Sequence, residues 1–135
     1  MLEIFTKIIS TLQADGTLTA IVPAENISVG PVDIVIEKQS ELRKPQINIF
    51  QVSESLRTNP LNVRDTTVQL DIWSRTSQLE IETIYERVVT LLSYQTVNNG
   101  SAHIFWNRLD GANDVYEQDR RIWHRACSFK VWSMK

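Results

Sequence analysis

Val68-Gln69-Leu70-Asp71-Ile72-Trp73-Ser74-Arg75-Thr76-Ser77-Gln78-Leu79-Glu80-Ile81-Glu82-Thr83-Ile84 changes its period partway along, and that change decides the fold class. In the first half Val68, Leu70 and Ile72 alternate with Gln69, Asp71 and Trp73, the period of two of a strand with unlike faces. Ser77 then stands where a helix N-cap is expected, and Glu80, three residues on, completes the pattern of a capping box. Beyond it Ile81, Ile84, Tyr85, Val88, Leu91 and Leu92 recur at helical spacing. A strand that leads directly into an amphipathic helix implies a sheet with a helix laid on it.

Upstream, Leu2, Phe5, Ile9 and Leu12 fall on one helical face with Ile8 beside them, and Asp15-Gly16 breaks that pattern. Thr17 is placed to cap a second short helix carrying Leu18, Ile21 and Val22, which Pro23 stops. Ile27 and Val29 suit a short strand before Gly30-Pro31, and the β-branched run Val32–Lys38 suits another. Residues Gln39–Lys44 read as a polar loop. Pro45 opens a strand through Ile47, Ile49, Phe50 and Val52, and Ser53–Asn62, with the turn signal Asn59-Pro60, reads as a long hairpin loop.

Downstream, Asn98-Asn99-Gly100 reads as a turn, His103–Leu109 as a strand, and Asp110–Asp114 as a further turn. The last strand runs from about Arg121 to Ser133. It has Trp123, Cys127, Phe129 and Val131 on one side and Ile122, His124, Ala126, Ser128 and Trp132 on the other. Apolar groups on both sides place it centrally or against a partner. The expected fold is α+β: a mainly antiparallel sheet with helices packed on one face, in a single domain spanning residues 1–135.

Composition narrows the function. Hydrophobic residues are 42% and charged residues 22% of the 135, as in ordinary globular domains, and the net charge of −2 lacks the basic excess of a dedicated nucleic-acid binder. A lone cysteine, Cys127, suits a reducing compartment. Met1–Lys7, with an early acid and a lysine in its apolar stretch, does not read as a signal peptide, and no apolar run is long enough to span a membrane.

Candidate chemistry is sparse. The four glycines are scattered through turns instead of forming a phosphate loop, and no GxSxG is present. His103 and His124 lie on separate strands, where Asp71 could join them as an orienting acid. Unlinked residues of these types are, however, usually ordinary strand positions. Cys127 and His124 are three apart on one strand and so face opposite sides, which leaves Cys127 as a core residue. Asp110–Asp114 lacks the oxygen spacing of a calcium loop. Arg120-Arg121-Ile122-Trp123-His124-Arg125 is the one basic and aromatic cluster. It could grip a nucleic-acid backbone or face an interface, with Glu117 and Asp119 diluting its field.

Two stretches carry a resemblance: Val68–Arg75 leading into the helix near Ser77, and Ile122-Trp123-His124-Arg125-Ala126-Cys127-Ser128-Phe129-Lys130-Val131-Trp132. Together with the opening helix and the short apolar helix ending at Pro23, they resemble the tail-terminator (tail-completion, head–tail joining) proteins of tailed bacteriophages. The resemblance implies a structural, non-enzymatic virion protein with no cofactor. Such proteins form a ring, commonly a hexamer, that caps the tail tube and joins it to the head. The implied partners are further copies of the chain, the tail-tube protein and a head-completion or connector protein. Genomic DNA would pass through without specific binding, and no membrane is involved. The implied location is the head-proximal end of the virion tail, after assembly in the host cytoplasm. A ring of like subunits needs two unlike patches on each. The loops Gln39–Lys44 and Ser53–Asp65 and the last strand offer them, through Arg43, Lys44, Leu56, Arg57, Leu61 and Trp132. The alternatives are another neck, head–tail connector or tail-tube protein and, from other classes, a small hydrolase or a nucleic-acid-binding accessory protein.

Overall fold

The computed structural model describes residues 2–30, 44–57, 63–92, 97–99, 102–118 and 122–134. The chain forms α1 (Leu2–Gln13), α2 (Gly16–Thr19), a 3-10 turn (Ala24–Asn26), β1 (Ile27–Val29), β2 (Gln46–Arg57), β3 (Val63–Ser74), α3 (Gln78–Leu92), β4 (Val97–Asn99), β5 (Ala102–Glu117) and β6 (Ile122–Met134). The described strands make one sheet of order β1-β2-β3-β6-β5-β4, antiparallel except for the β1–β2 pair. This is the α+β architecture that the period change implied.

The sheet's two faces follow from register. Ile47 pairs with Ile72 and Ile49 with Leu70, while Leu70 pairs with Cys127 and Val68 with Phe129, so these residues share one side. Onto that side α1 places Ile8 and Leu12, the α2 segment Leu18 and Val22, and α3 Ile81, Ile84, Val88 and Leu92, in one apolar cluster. Each such side chain contributes about 1.5–3 kcal/mol of transfer free energy before chain entropy is subtracted.

Helix starts follow local chemistry. Asp15, not Thr17, caps α2: its carboxylate accepts from the Leu18 N–H at 2.8 Å. The same carboxylate takes a two-pronged contact from Arg87 of α3, at 2.7 and 2.8 Å, so that one side chain starts α2 and ties it to α3. At α3 the Ser77 hydroxyl accepts from the Glu80 N–H as the capping pattern requires, but the Glu80 carboxylate accepts instead from Ser74 Oγ at 2.7 Å. Gly30 closes β1 at φ +149, a value that residues with side chains rarely adopt, while its N–H still reaches Ile49 O at 3.3 Å.

Three stretches read as turns or loops are strand. Most of Ser53–Asp65 belongs to the β2–β3 hairpin, whose ladder continues out to Arg57↔Val63, with a register shift between Gln51 and Ser53. Ladder bonds are backbone chemistry, and a segment with no uniformly apolar face leaves no period-two signature. Asp110–Asp114 lies within β5, where a register shift between Leu109 and Gly111 accommodates the turn-type residues. Asn98 and Asn99 pair with His103 and Ala102 in β4–β5. The expected strand at Val32–Lys38 lies outside the described residues.

Two outcomes check this packing. Ile84 is fully buried, so Ile84→Asp should cost about 4 kcal/mol or more and lower the melting temperature by more than about 10 °C. An unchanged melting curve would remove the α3–sheet contact from the account. Arg87 holds the Asp15 carboxyl down from the usual 3.8 to about 2. A depressed folded-state value gives stability that is present above pH 3.8 and lost as the pH falls towards 2. Asp15→Asn keeps a cap but loses the charge, so its melting temperature, followed from pH 5 to 2, should fall less steeply than that of the parent chain. Parallel slopes would contradict the assignment.

Candidate functional site

Two polar groupings lie on opposite faces of the β5–β6–β3 region, and each was a candidate for chemistry. On the helix side Arg125 stands opposite Ile72 and Asp114 in the ladder and is only 8% exposed. A guanidinium survives burial only when its donors are met. Here Asp114 accepts from Nε and NH2 at 2.5 and 2.8 Å, Glu82 of α3 lies 2.5 Å from NH1, and the Tyr85 ring lies 4.6 Å from the guanidinium carbon. Gln78 also donates to Asp114 at 2.7 Å. Hydrogen bonding to Asp114 pushes Arg125 further above its ordinary range, and Arg125 in turn holds Asp114 below the usual carboxylate range. Burial raises the Tyr85 hydroxyl. The grouping therefore joins α3, β5 and β6 and commits Nε, NH1 and NH2 of Arg125 each to an internal carboxylate.

On the face away from the helices, Trp73 and His124 are ladder partners and their rings stack at 3.9 Å, 6° from parallel. The fully buried Asp71 accepts from Gln69 Nε2 at 2.9 Å and lies 3.0 Å from His124 Nε2, although the ring nitrogen is not aligned for a directed hydrogen bond. Asp71 and His124 thus meet, but His103 does not join them. It pairs with Met134, ten positions along β6 from His124, roughly 33 Å at strand rise. An acid and an imidazole need a nucleophile within hydrogen-bond reach to hydrolyse anything. Ser128 lies four positions along the strand, about 13 Å away. Cys127 is on the opposite face, and burial pushes its thiol up to about 12, far from a reactive thiolate.

No cluster of three metal-ligating side chains occurs among the described residues. A cleft lined by Ile8, Val68, Leu70, Leu92, Phe129 and Val131 is wholly apolar and belongs to the core. No described helix is long and apolar enough to cross a membrane. Within the basic cluster, Arg125 is occupied as above and Arg120 and Arg121 lie outside the described residues. Lys130 donates to Thr67 at 2.9 Å.

The contact residues expected from sequence separate in space. Leu56 and Arg57 lie at the end of β2, level with Arg64 and Val63 of β3, which pair with Ser133 and Met134; Trp132, paired with Asp65, is next along β6. These three share one end of the sheet. Lys44 is exposed just ahead of β2, at the other end, and Arg43 and Leu61 lie outside the described residues. What sequence reasoning missed are the large apolar side chains left outside the core: Val29, Leu79, Val115 and Tyr116 are all more than two-fifths exposed.

Comparison with known proteins bears on this surface. No curated protein sequence matches the chain. Among solved structures, a chain from the virion of a native gene transfer agent (GTA) particle superimposes with a TM-score of 0.72. It is 10% identical, and the match covers 95% of this chain and 92% of that one, a likeness of fold. The family profile described as tail completion protein gp17 matches residues 6–133, from α1 to the end of β6. The chain belongs to the tail completion protein gp17 family, and so is a structural protein of a phage tail.

Proposed function

We propose that the chain completes the tail by closing the end of the tail tube as a ring and offering that ring to the head. The observation that carries this reading is the extent of the family match, residues 6–133, which takes in every described layer of the fold. Its work is binding, without turnover of a substrate. Copies of the chain contact one another, the last ring of tube protein and a connector on the head. The sheet end carrying Leu56, Arg57 and Trp132, and separately Lys44 at the opposite end, together with Arg43 and Leu61, are proposed to serve these contacts. DNA passing through such a ring meets a chain of net charge −2 and gains little from counterion release.

Removing the gene and imaging the particles tests the reading. Tails made without the protein should lose length control and fail to join heads. Tails of normal length that still join heads would overturn it, and tails of normal length that fail to join would move the protein to the neck. Titration of labelled duplex at moderate salt should give weak binding that does not depend on sequence, and tight, selective binding would favour a nucleic-acid accessory role.

A further inference from the structure

The sheet face away from the helices holds a group of buried polar atoms without partners. Asp71 of β3 is fully buried, and Asn48 of β2, opposite it in the ladder, is 4% exposed. His124 of β6 lies beside them, opposite Trp73. Each of the three side chains is held by one contact and has another atom left over. Gln69 donates to Asp71 Oδ1 at 2.9 Å, while Oδ2 meets no donor. Asn48 Nδ2 donates to Ser28 Oγ at 3.2 Å, while Oδ1 meets no donor. Stacking on Trp73 fixes the His124 ring, and its Nε2 makes no directed hydrogen bond. The indole N–H of Trp73 is also unmet, but it is a donor and cannot act as a ligand. Buried polar atoms are nearly always paired, so orphans on three adjacent strands of one face mark a place where something binds.

The chemistry of the three selects the occupant. Asn48 Oδ1 and Asp71 Oδ2 are both acceptors, and a carboxylate out of water needs a compensating charge. A water molecule would meet the hydrogen bonds and leave the charge unbalanced. Among the described residues no Lys or Arg supplies that balance. Arg125 faces the helices and is committed to Asp114 and Glu82, and Lys130, six residues along β6 from His124, donates to Thr67. A divalent cation meets both needs. Zinc takes imidazole nitrogen and carboxylate oxygen at about 2.0–2.2 Å, so two ligands of one tetrahedral ion stand about 3.3 Å apart. His124 Nε2 and Asp71 Oδ1 stand 3.0 Å apart without the alignment of a hydrogen bond. The imidazole favours zinc over magnesium or calcium, which prefer shells of oxygen alone. Contacts such as those from Gln69, Ser28 and Trp73 are the kind that orient ligands around a metal.

We propose that Asp71, His124 Nε2 and Asn48 Oδ1 hold one zinc-class divalent cation, with water as the fourth ligand, and that the ion ties β2, β3 and β6 together on this face. No third acid, cysteine or histidine joins the pair among the described residues, so the amide oxygen completes the protein's share. The His124 side chain, 17% exposed, gives the ion its way in. The inference concerns the single chain and stands apart from the ring reading.

Zinc titrated into the full chain, first stripped of metal with a chelator, tests it by calorimetry and thermal melting. One ion should bind per chain, and zinc at about a hundred times Kd should raise the melting temperature by roughly 10 °C. In NMR spectra of the two histidine rings, His124 should shift on zinc addition and His103 should not. Asp71→Asn keeps the shape and removes a buried charge, so without metal it should melt at or above the parent's temperature, yet gain nothing from zinc. Should that variant fail to fold, His124→Gln carries the same comparison. Asn48→Asp sets two carboxylates side by side. It should melt lower than the parent without zinc and bind the ion about tenfold or more tightly. A parent chain that takes up no zinc would overturn the site, leaving a turned-over Asn48 amide or an ordered water to fill it. Binding that survives Asp71→Asn, or a shift at His103 alone, would overturn it too, as chelation elsewhere on the surface.

Discussion

β3 and β6 pair over twelve residues, from Val63↔Met134 to Ser74↔Trp123, and this ladder sets where every other element can go. The strands lie roughly sixty residues apart in sequence, so closing the ladder costs loop entropy that backbone hydrogen bonds alone scarcely offset. Apolar burial makes up the difference. Val68, Leu70 and Ile72 on β3 and Cys127, Phe129 and Val131 on β6 form the floor on which α1, α2 and α3 rest. With the centre fixed, β2 and β5 fall to the flanks and the short β1 and β4 outside them.

Charged groups inside this arrangement act on alignment more than on chemistry. Arg125 interrupts an otherwise apolar row on β6, and its partners come from β5 and α3, so a slip of one residue in either would strand a buried charge. Asp15 and Arg87 do the same between the N-terminal helices and α3. Asp71 and His124, the pair that looks most like catalytic machinery, lie on the sheet face away from the helices beside a stacked, buried tryptophan, and neither Ser128 nor Cys127 reaches them. A fold that spends its charges on internal alignment and leaves a few apolar side chains outside is suited to docking.

The parts legible in the sequence are those in which one face is apolar. The strand at Val68–Trp73, the helix from Ser77 onward and the last strand all show their period, and the central place of β6 follows from its two-sided apolar character. The outer halves of β2 and β5 were hidden, because Ser53–Arg57 and Asp110–Asp114 carry polar and turn-type residues whose strand character comes from pairing alone. Long-range ion pairs left only a faint signal. Arg125 among Trp123, Cys127 and Phe129 is a charge where the pattern wants none, and that anomaly could have marked it as an internal tie instead of part of a basic surface. Nothing in local spacing joins Asp15 to Arg87, 72 residues away.

If the chain's work is to finish a tail by assembly, its position on the particle is decisive. Cryo-electron microscopy of purified tails, with the chain located by fitting its six-stranded sheet and helical layer, measures that position directly. The account predicts one closed ring of copies at a single end of the tube, the end that meets the head. Copies repeated along the length of the tube, or found only at the far end, would contradict it.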